Sequence, residues 1–140
     1  PEIVHDIERL AGLIRDERVS HTLMVPSLYG TLLTSAPAGT LDSLRAVIVA
    51  GEQCPLALVA RHRERLPGVS LYNEYGPTET AVWATVDRLD TDAQDRVAIG
   101  RPISGARIRI LDERLAPVPQ GVVGEVYVGG AGVARGYLQR

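Results

Sequence analysis

No lysine occurs in the 140 residues, and all 15 cationic side chains are arginine. Every mechanism that needs an amine is thereby excluded: a Schiff base, a phosphate-loop lysine, an ammonium point charge on a phosphate. Cysteine is nearly absent, and the single Cys54 cannot close an internal disulfide. No apolar run approaches the roughly 18 residues of a membrane span and no signal peptide opens the chain, so the expected compartment is cytoplasmic. Neither sign of charge is in large excess. The 15 cationic and 17 acidic side chains give a formal net charge of -2, which supplies no broad positive field for nucleic acid or an anionic membrane. Repeats and low-complexity tracts are also lacking. His5, His21 and His62 have no cysteine or carboxylate at metal-ligand spacing and read as solvated or core histidines, His5 and His62 on polar helix faces. Cys54 reads as a small hydrophobe beside Pro55.

What remains is an ordinary globular composition, 45% hydrophobic and 23% charged, in a chain of about one domain with enough residues for a core. It opens on Pro1 and closes on Gly-Tyr-Leu-Gln-Arg, and is expected to be a piece of something longer.

Ile3, Ile7, Leu10 and Ile14 recur at helical spacing among charged residues, predicting a one-sided helix to about Arg18. His21 to Val25 reads as a strand, and Ser27 as the cap of a short helix through Leu28, Leu32 and Leu33. Leu44 to Ala50 reads as a second strand ending at Gly51, with a helix from Leu56 to Leu66 opened by Pro55. Val69 to Tyr72 is a third strand. This alternation predicts an α/β fold with parallel strands and right-handed crossovers. Beyond Thr80 the pattern changes to Val82–Val86, Ala106–Leu111 and Val122–Val128, an antiparallel region without crossover helices. Residues 1–80 are thus expected as βα units and 81–140 as mainly antiparallel strands. The segment from Asp87 to Gly105 reads as a polar surface loop.

The most informative stretch, Tyr72-Asn73-Glu74-Tyr75-Gly76-Pro77-Thr78-Glu79-Thr80, follows a predicted strand, and parallel sheets bind ligands at that end. Thr78 and Thr80 stand where hydroxyls and the free N–H groups of a helix start hold phosphate. Glu79 could ligate magnesium, and Tyr75 offers a flat face to a base. The same residues equally make a strand, a turn and a threonine-capped helix. A second stretch, Gly124 to Leu138, runs a strand into a glycine-rich loop, but glycines 130, 132 and 136 miss dinucleotide-binding spacing and are better explained by a tight bend.

Asn73 to Thr80 resembles a signature of the adenylate-forming enzymes, specifically the amino-acid adenylation domains of nonribosomal peptide synthetases. The glycine-rich stretch resembles another, and similarity extends through Val47–Glu52, Ile99–Ile103 and Leu111–Glu113. The resemblance implies part of the large N-terminal lobe. It implies a reaction in which a carboxylate attacks the α-phosphate of magnesium ATP, releasing pyrophosphate and leaving an acyl adenylate. The acyl group then passes to the phosphopantetheine thiol of a carrier domain, with condensation domains as further partners. By that similarity Tyr75 stacks on adenine, Asn73 and the Gly51-Glu52 backbone line the base, and Gly76 belongs to the nucleotide site. Thr78 contacts phosphate and Glu79 holds magnesium, the two residues expected to be catalytic. The substrate pocket falls on Leu23, Ile48, Ala50, Glu74, Val82 and Trp83, on strand ends and turns. Leu23, Ile48, Ala50 and Val82 serve equally well as core residues. A buried Glu74 would favour a substrate donor or cation. Tyr75 and Glu79 are expected to face one shared hollow.

Four parts that such an enzyme needs are missing: a Ser/Thr/Gly-rich phosphate loop, an aspartate for the substrate amino group, a ribose-binding aspartate and a catalytic lysine. The isolated chain is therefore expected to be inactive. An acyl-CoA synthetase fragment and a non-catalytic nucleotide-binding module remain open. Arg61, Arg63 and Arg65 read as an exposed helix face balanced by Glu64, with a carrier-protein contact as the alternative.

Overall fold

The computed structural model describes residues 6–90 and 95–139. Among the described residues three α-helices and seven strands follow one another: α1 (Ile7–Asp16), β1 (His21–Met24), α2 (Pro26–Ser35), β2 (Ala46–Ala50), α3 (Leu56–Arg65), β3 (Ser70–Tyr75), β4 (Thr85–Arg88), β5 (Arg101–Pro102), β6 (Ala106–Leu111) and β7 (Glu125–Gly130). Strands β1 to β5 form one sheet in sequence order, and β6 pairs with β7 in a second. The pairs β1–β2 and β2–β3 are parallel, whereas β4 runs antiparallel to β3 and β5 to β4. The antiparallel region therefore does not stand apart: its first two strands extend the parallel sheet.

Asp6 caps α1 by accepting from the Arg9 N–H at 3.0 Å, and the expected helix start at Ile3 and His5 lies outside the described residues. Helix α2 starts two residues earlier than expected. Pro26 takes the first position, where its missing N–H costs nothing, and Ser27 does not cap. The Glu52 carboxylate caps from a distance instead, accepting from the Ser27 N–H at 3.1 Å and its hydroxyl at 3.0 Å.

Alternation splits the sheet into two unlike faces. Met24, Val47, Val49 and Leu71 point to the helices and pack with Ala11, Ile14, Leu32, Leu33, Leu58 and Val59 in one core. Leu23, Ile48, Ala50 and Glu74 share the opposite face by register, Leu23 beside Ile48 and Ala50 beside Glu74. Leu23 is 60% exposed there. No helix among the described residues is long and apolar enough to cross a membrane.

Three expectations fail here. His62 is not on a polar face but fully buried; Nδ1 accepts from the Tyr29 hydroxyl at 2.5 Å and Nε2 donates to the Val69 carbonyl at 2.8 Å. The arginines of α3 are not a free surface. Arg65 donates to the carbonyls of Leu33 and Ala36, closing the C-terminal end of α2. Arg61 donates to Thr34 Oγ1 at 3.1 Å and Arg63 to the Leu89 carbonyl at 2.6 Å. The segment from Asp87 to Gly105 is not simply a surface loop either. Leu89 is fully buried, its N–H donates to the Leu71 carbonyl at 2.8 Å, and Asp90 accepts from the Leu71 N–H at 3.0 Å. Cys54 packs in the core as expected.

Burial holds the His62 imidazole below its ordinary pKa, outweighing the Val69 hydrogen bond and the charge of Asp90, which favour the proton, while Arg63 opposes it. The unfolded chain titrates near the usual value of about 6.5, so it binds the extra proton first and stability drains as pH falls below that point. Thermal melting between pH 7 and pH 5 is expected to show this loss, at a limiting slope of about 1.4 kcal/mol per pH unit. His62→Gln should lower the plateau and flatten that slope.

Candidate functional site

Strands β2 and β3 are parallel and in register to their ends, so residues 51–54 and 75–77 leave the same edge of the sheet side by side. Between them lies a hollow of about 390 Å³, within the range of small-molecule sites. Gly51, Glu52, Asn73, Tyr75 and Gly76, the residues expected around a base, all line it, together with Glu74. Gln53, Cys54, Pro77, Val97 and Ile99 complete the wall and were not anticipated from sequence. The apolar triplet Val97-Ala98-Ile99 was the available signal.

That far wall is tied to the sheet. The Asn73 amide donates to the Ala98 carbonyl at 2.8 Å and the buried Thr85 hydroxyl to the Ile99 carbonyl at 2.5 Å. At Gly100 a Cβ would sit 2.0 Å from the Val86 carbonyl oxygen, with φ at +82°, so only glycine lets the chain approach there.

Asn73 and Glu74 are both buried, at 6% and 7% exposure. The Glu74 carboxyl is pushed above its ordinary pKa by burial, and no described residue donates a hydrogen bond to it. Tyr75, at 38%, keeps part of its ring open to solvent beside the hollow. Burial pushes the Cys54 thiol up to about 11, so it is inert at neutral pH. The Glu52 side chain turns away to Ser27, leaving its backbone to line the hollow. A larger groove of about 550 Å³ lies between α2 and α3, but its Ser27, Thr34, Glu52 and Arg61 are already bonded to one another or to nearby carbonyls.

The turn after the hollow corrects two expectations. Thr78–Thr80 is a three-residue 3-10 turn, not a helix start, because Ala81 and Val82 take left-handed φ values of 55° and 69° and reverse the chain. It offers no helix dipole to a phosphate, and the buried Thr80 hydroxyl is committed to the Pro77 carbonyl at 3.0 Å. Thr78 and Glu79 are exposed on this turn and are not among the residues lining the hollow that Tyr75 lines, so the two do not share one cavity. Val82 and Trp83 lie in the reversing turn ahead of β4, not in a strand, and both are exposed. Of the six expected substrate-pocket residues only Glu74 lines this hollow; Leu23, Ile48 and Ala50 share its sheet face.

Among the described residues no cluster of three or more His, Cys, Asp or Glu could hold a metal by itself. One exposed carboxylate, Glu79, nonetheless fits magnesium, which commonly takes one or two protein carboxylates and completes its octahedron with substrate phosphates and water.

A hollow of this size, at the carboxyl edge of parallel strands and walled by a tyrosine and a buried asparagine, suits a nucleotide base. Residues 1–138 match the family described as AMP-binding enzyme. The chain belongs to that family. It is 40% identical over 131 residues to Tyrocidine synthase 3 of Brevibacillus parabrevis, across 94% of this chain and 2% of that protein. It is 46% identical over 134 residues to Phosphinothricin tripeptide synthetase PhsC of Streptomyces viridochromogenes, across 95% of this chain and 11% of that protein. The nonribosomal peptide synthetase FmoA3 superposes with a TM-score of 0.88 at 34% identity, over 95% of this chain and 15% of that one. FmoA3 is also solved with AMPPNP and with alpha-methyl-L-serine-AMP bound. An NRPS protein containing adenylation and PCP domains superposes with a TM-score of 0.85 at 29% identity, over 94% of this chain and 27% of that one. The chain thus spans a small part of each of these proteins, and it shares with them the expected fold of parallel βα units followed by antiparallel strands.

Within this AMP-binding fold Gly76 has a steric duty besides lining the hollow. A Cβ there would lie 2.6 Å from the Val82 carbonyl oxygen and 2.8 Å from the Ala84 nitrogen. Gly76→Ala is expected to destabilise the protein by about 1–3 kcal/mol, measured by denaturant unfolding, as the turn is forced off β3.

Proposed function

We propose that this chain is the nucleotide-binding part of an amino-acid adenylation domain in a nonribosomal peptide synthetase. The observation that carries the reading is the hollow at the ends of β2 and β3. Tyr75 suits the face of adenine. Asn73, its amide nitrogen committed to Ala98, has a carbonyl oxygen left to accept from the exocyclic amine of the base. The backbone at Gly51 and Glu52 lines the opposite side, Gly76 lets the chain pass beneath, and Thr78 reaches phosphate. The AMPPNP and alpha-methyl-L-serine-AMP complexes of the similar FmoA3 support a nucleotide and an aminoacyl adenylate as the ligands.

The substrate carboxylate attacks the α-phosphorus, the bond to pyrophosphate breaks, and an aminoacyl adenylate results. A carrier-domain phosphopantetheine thiol then displaces AMP, a partner supported by the PCP domain of the similar NRPS protein. Two anions must meet in the first step, so charge neutralisation dominates its barrier. When bound, magnesium supplies part of that neutralisation, and Glu79 is the residue that would hold it. The remainder, including any lysine, comes from outside these 140 residues.

Glu74 narrows the substrate. The residue is mostly buried but its carboxylate opens onto the hollow and accepts no hydrogen bond from a described residue, so a substrate side chain that brings a cation or hydrogen-bond donor would pair with it.

In the full-length protein, amino-acid-dependent ATP–pyrophosphate exchange is expected, with the highest turnover for amino acids carrying a basic or donor side chain. Exchange driven only by other carboxylic acids would point to an acyl-CoA synthetase instead. Glu74→Ala should erode the preference for the basic or donor amino acid by about 30-fold or more; an unchanged ranking would remove Glu74 from the pocket. The purified 140 residues, having no lysine, should give no exchange above background.

A further inference from the structure

Glu79 does not hang free on its turn. The Tyr137 hydroxyl, 58 positions further along, donates to Glu79 Oε1 at 3.0 Å, and the Ala134 N–H donates to the Glu79 carbonyl at 2.7 Å. The chain is delivered there by Gly130. Its φ of +122° puts the backbone where a Cβ would lie 2.0 Å from the Gly105 carbonyl oxygen, and the Val133 N–H closes the following turn on the Gly130 carbonyl at 3.2 Å. At Gly132 a Cβ would come within 3.4 Å of the Thr80 carbonyl oxygen, so the glycine-rich segment lies directly against the turn that carries Glu79.

We propose that Tyr137 is a positioning residue for Glu79, fixing the carboxylate through Oε1 and leaving Oε2 for a divalent cation. This rests on the reading of Glu79 as the cation-holding residue. Among the described residues nothing else donates to this carboxylate. An exposed glutamate samples many rotamers, and a charge-assisted hydrogen bond selects a subset before any ligand arrives. Hydrogen bonds from a second layer of groups to a metal-binding carboxylate typically change metal affinity about 10–100-fold.

The test uses the full-length protein with manganese as the probe, a non-hydrolysable ATP analogue as co-ligand, and the electron paramagnetic resonance signal of free manganese as the readout. Y137F keeps the ring and loses the donor; it is expected to weaken manganese binding about tenfold. Analogue affinity in EDTA and the melting temperature should stay at wild-type values. E79Q should weaken manganese binding at least as much, and adding Y137F to it should change nothing further. If E79Q weakens binding and Y137F does not, Tyr137 has no positioning role while the assignment of Glu79 stands. If neither variant weakens binding, the assignment of Glu79 falls and the proposal with it. A further loss on adding Y137F to E79Q, or a parallel loss of metal-free analogue affinity, would also overturn the proposal, since Tyr137 would then act by holding the loop rather than the carboxylate.

Discussion

Parallel strands leave a sheet by the same edge, and the register running from Ala46 beside Ser70 to Ala50 beside Glu74 puts two loops out of that edge together. Everything at the candidate site follows from this pairing. It sets the Gly51–Cys54 segment opposite Tyr75 and Gly76, and it turns Asn73 toward the far wall while Glu74 points to the other face. A slip of one residue would exchange those two side chains and bring the carboxylate to the helices. The antiparallel strand β4 matters to the same end, because Thr85 and the close approach at Gly100 bring Val97 and Ile99 back to close the hollow.

The parallel half of the fold was legible in the sequence because each element announces itself locally. Apolar spacing marks α1, Pro55 opens α3, and β-branched runs mark β2. That Gly51, Glu52, Asn73, Tyr75 and Gly76 come together was legible through the family resemblance: Asn73 to Gly76 run consecutively, and strand pairing brings Gly51 and Glu52 to them in one hollow.

The misreadings share a cause, which is that the deciding partner lies far along the chain. Helical spacing puts His62 on a polar side of its own helix, but Tyr29 and Val69 are what that side meets. Nothing local to Arg65 says that the carbonyls of Leu33 and Ala36 await it. The turn at Thr78–Thr80 carries helix-capping chemistry, yet Ala81 and Val82 reverse before a helix can form, held by the backbone packed against Gly76. The polar composition of residues 87–105 hides the few apolar and hydroxyl groups that tie that segment to the sheet. At Arg65 the choice of arginine over lysine has a local reason. A guanidinium can divide its donors between two carbonyls in one plane, as at Arg65, whereas an ammonium cannot reproduce that fork.

Glu52 belongs to two neighbourhoods at once. Its main chain forms part of the floor on which a base would rest, and its carboxylate anchors the opening of α2, 25 positions upstream. Losing the Glu52 carboxylate would release that helix end and the anchor of the backbone beneath the base together, so the floor and the architecture behind it are coupled through one side chain.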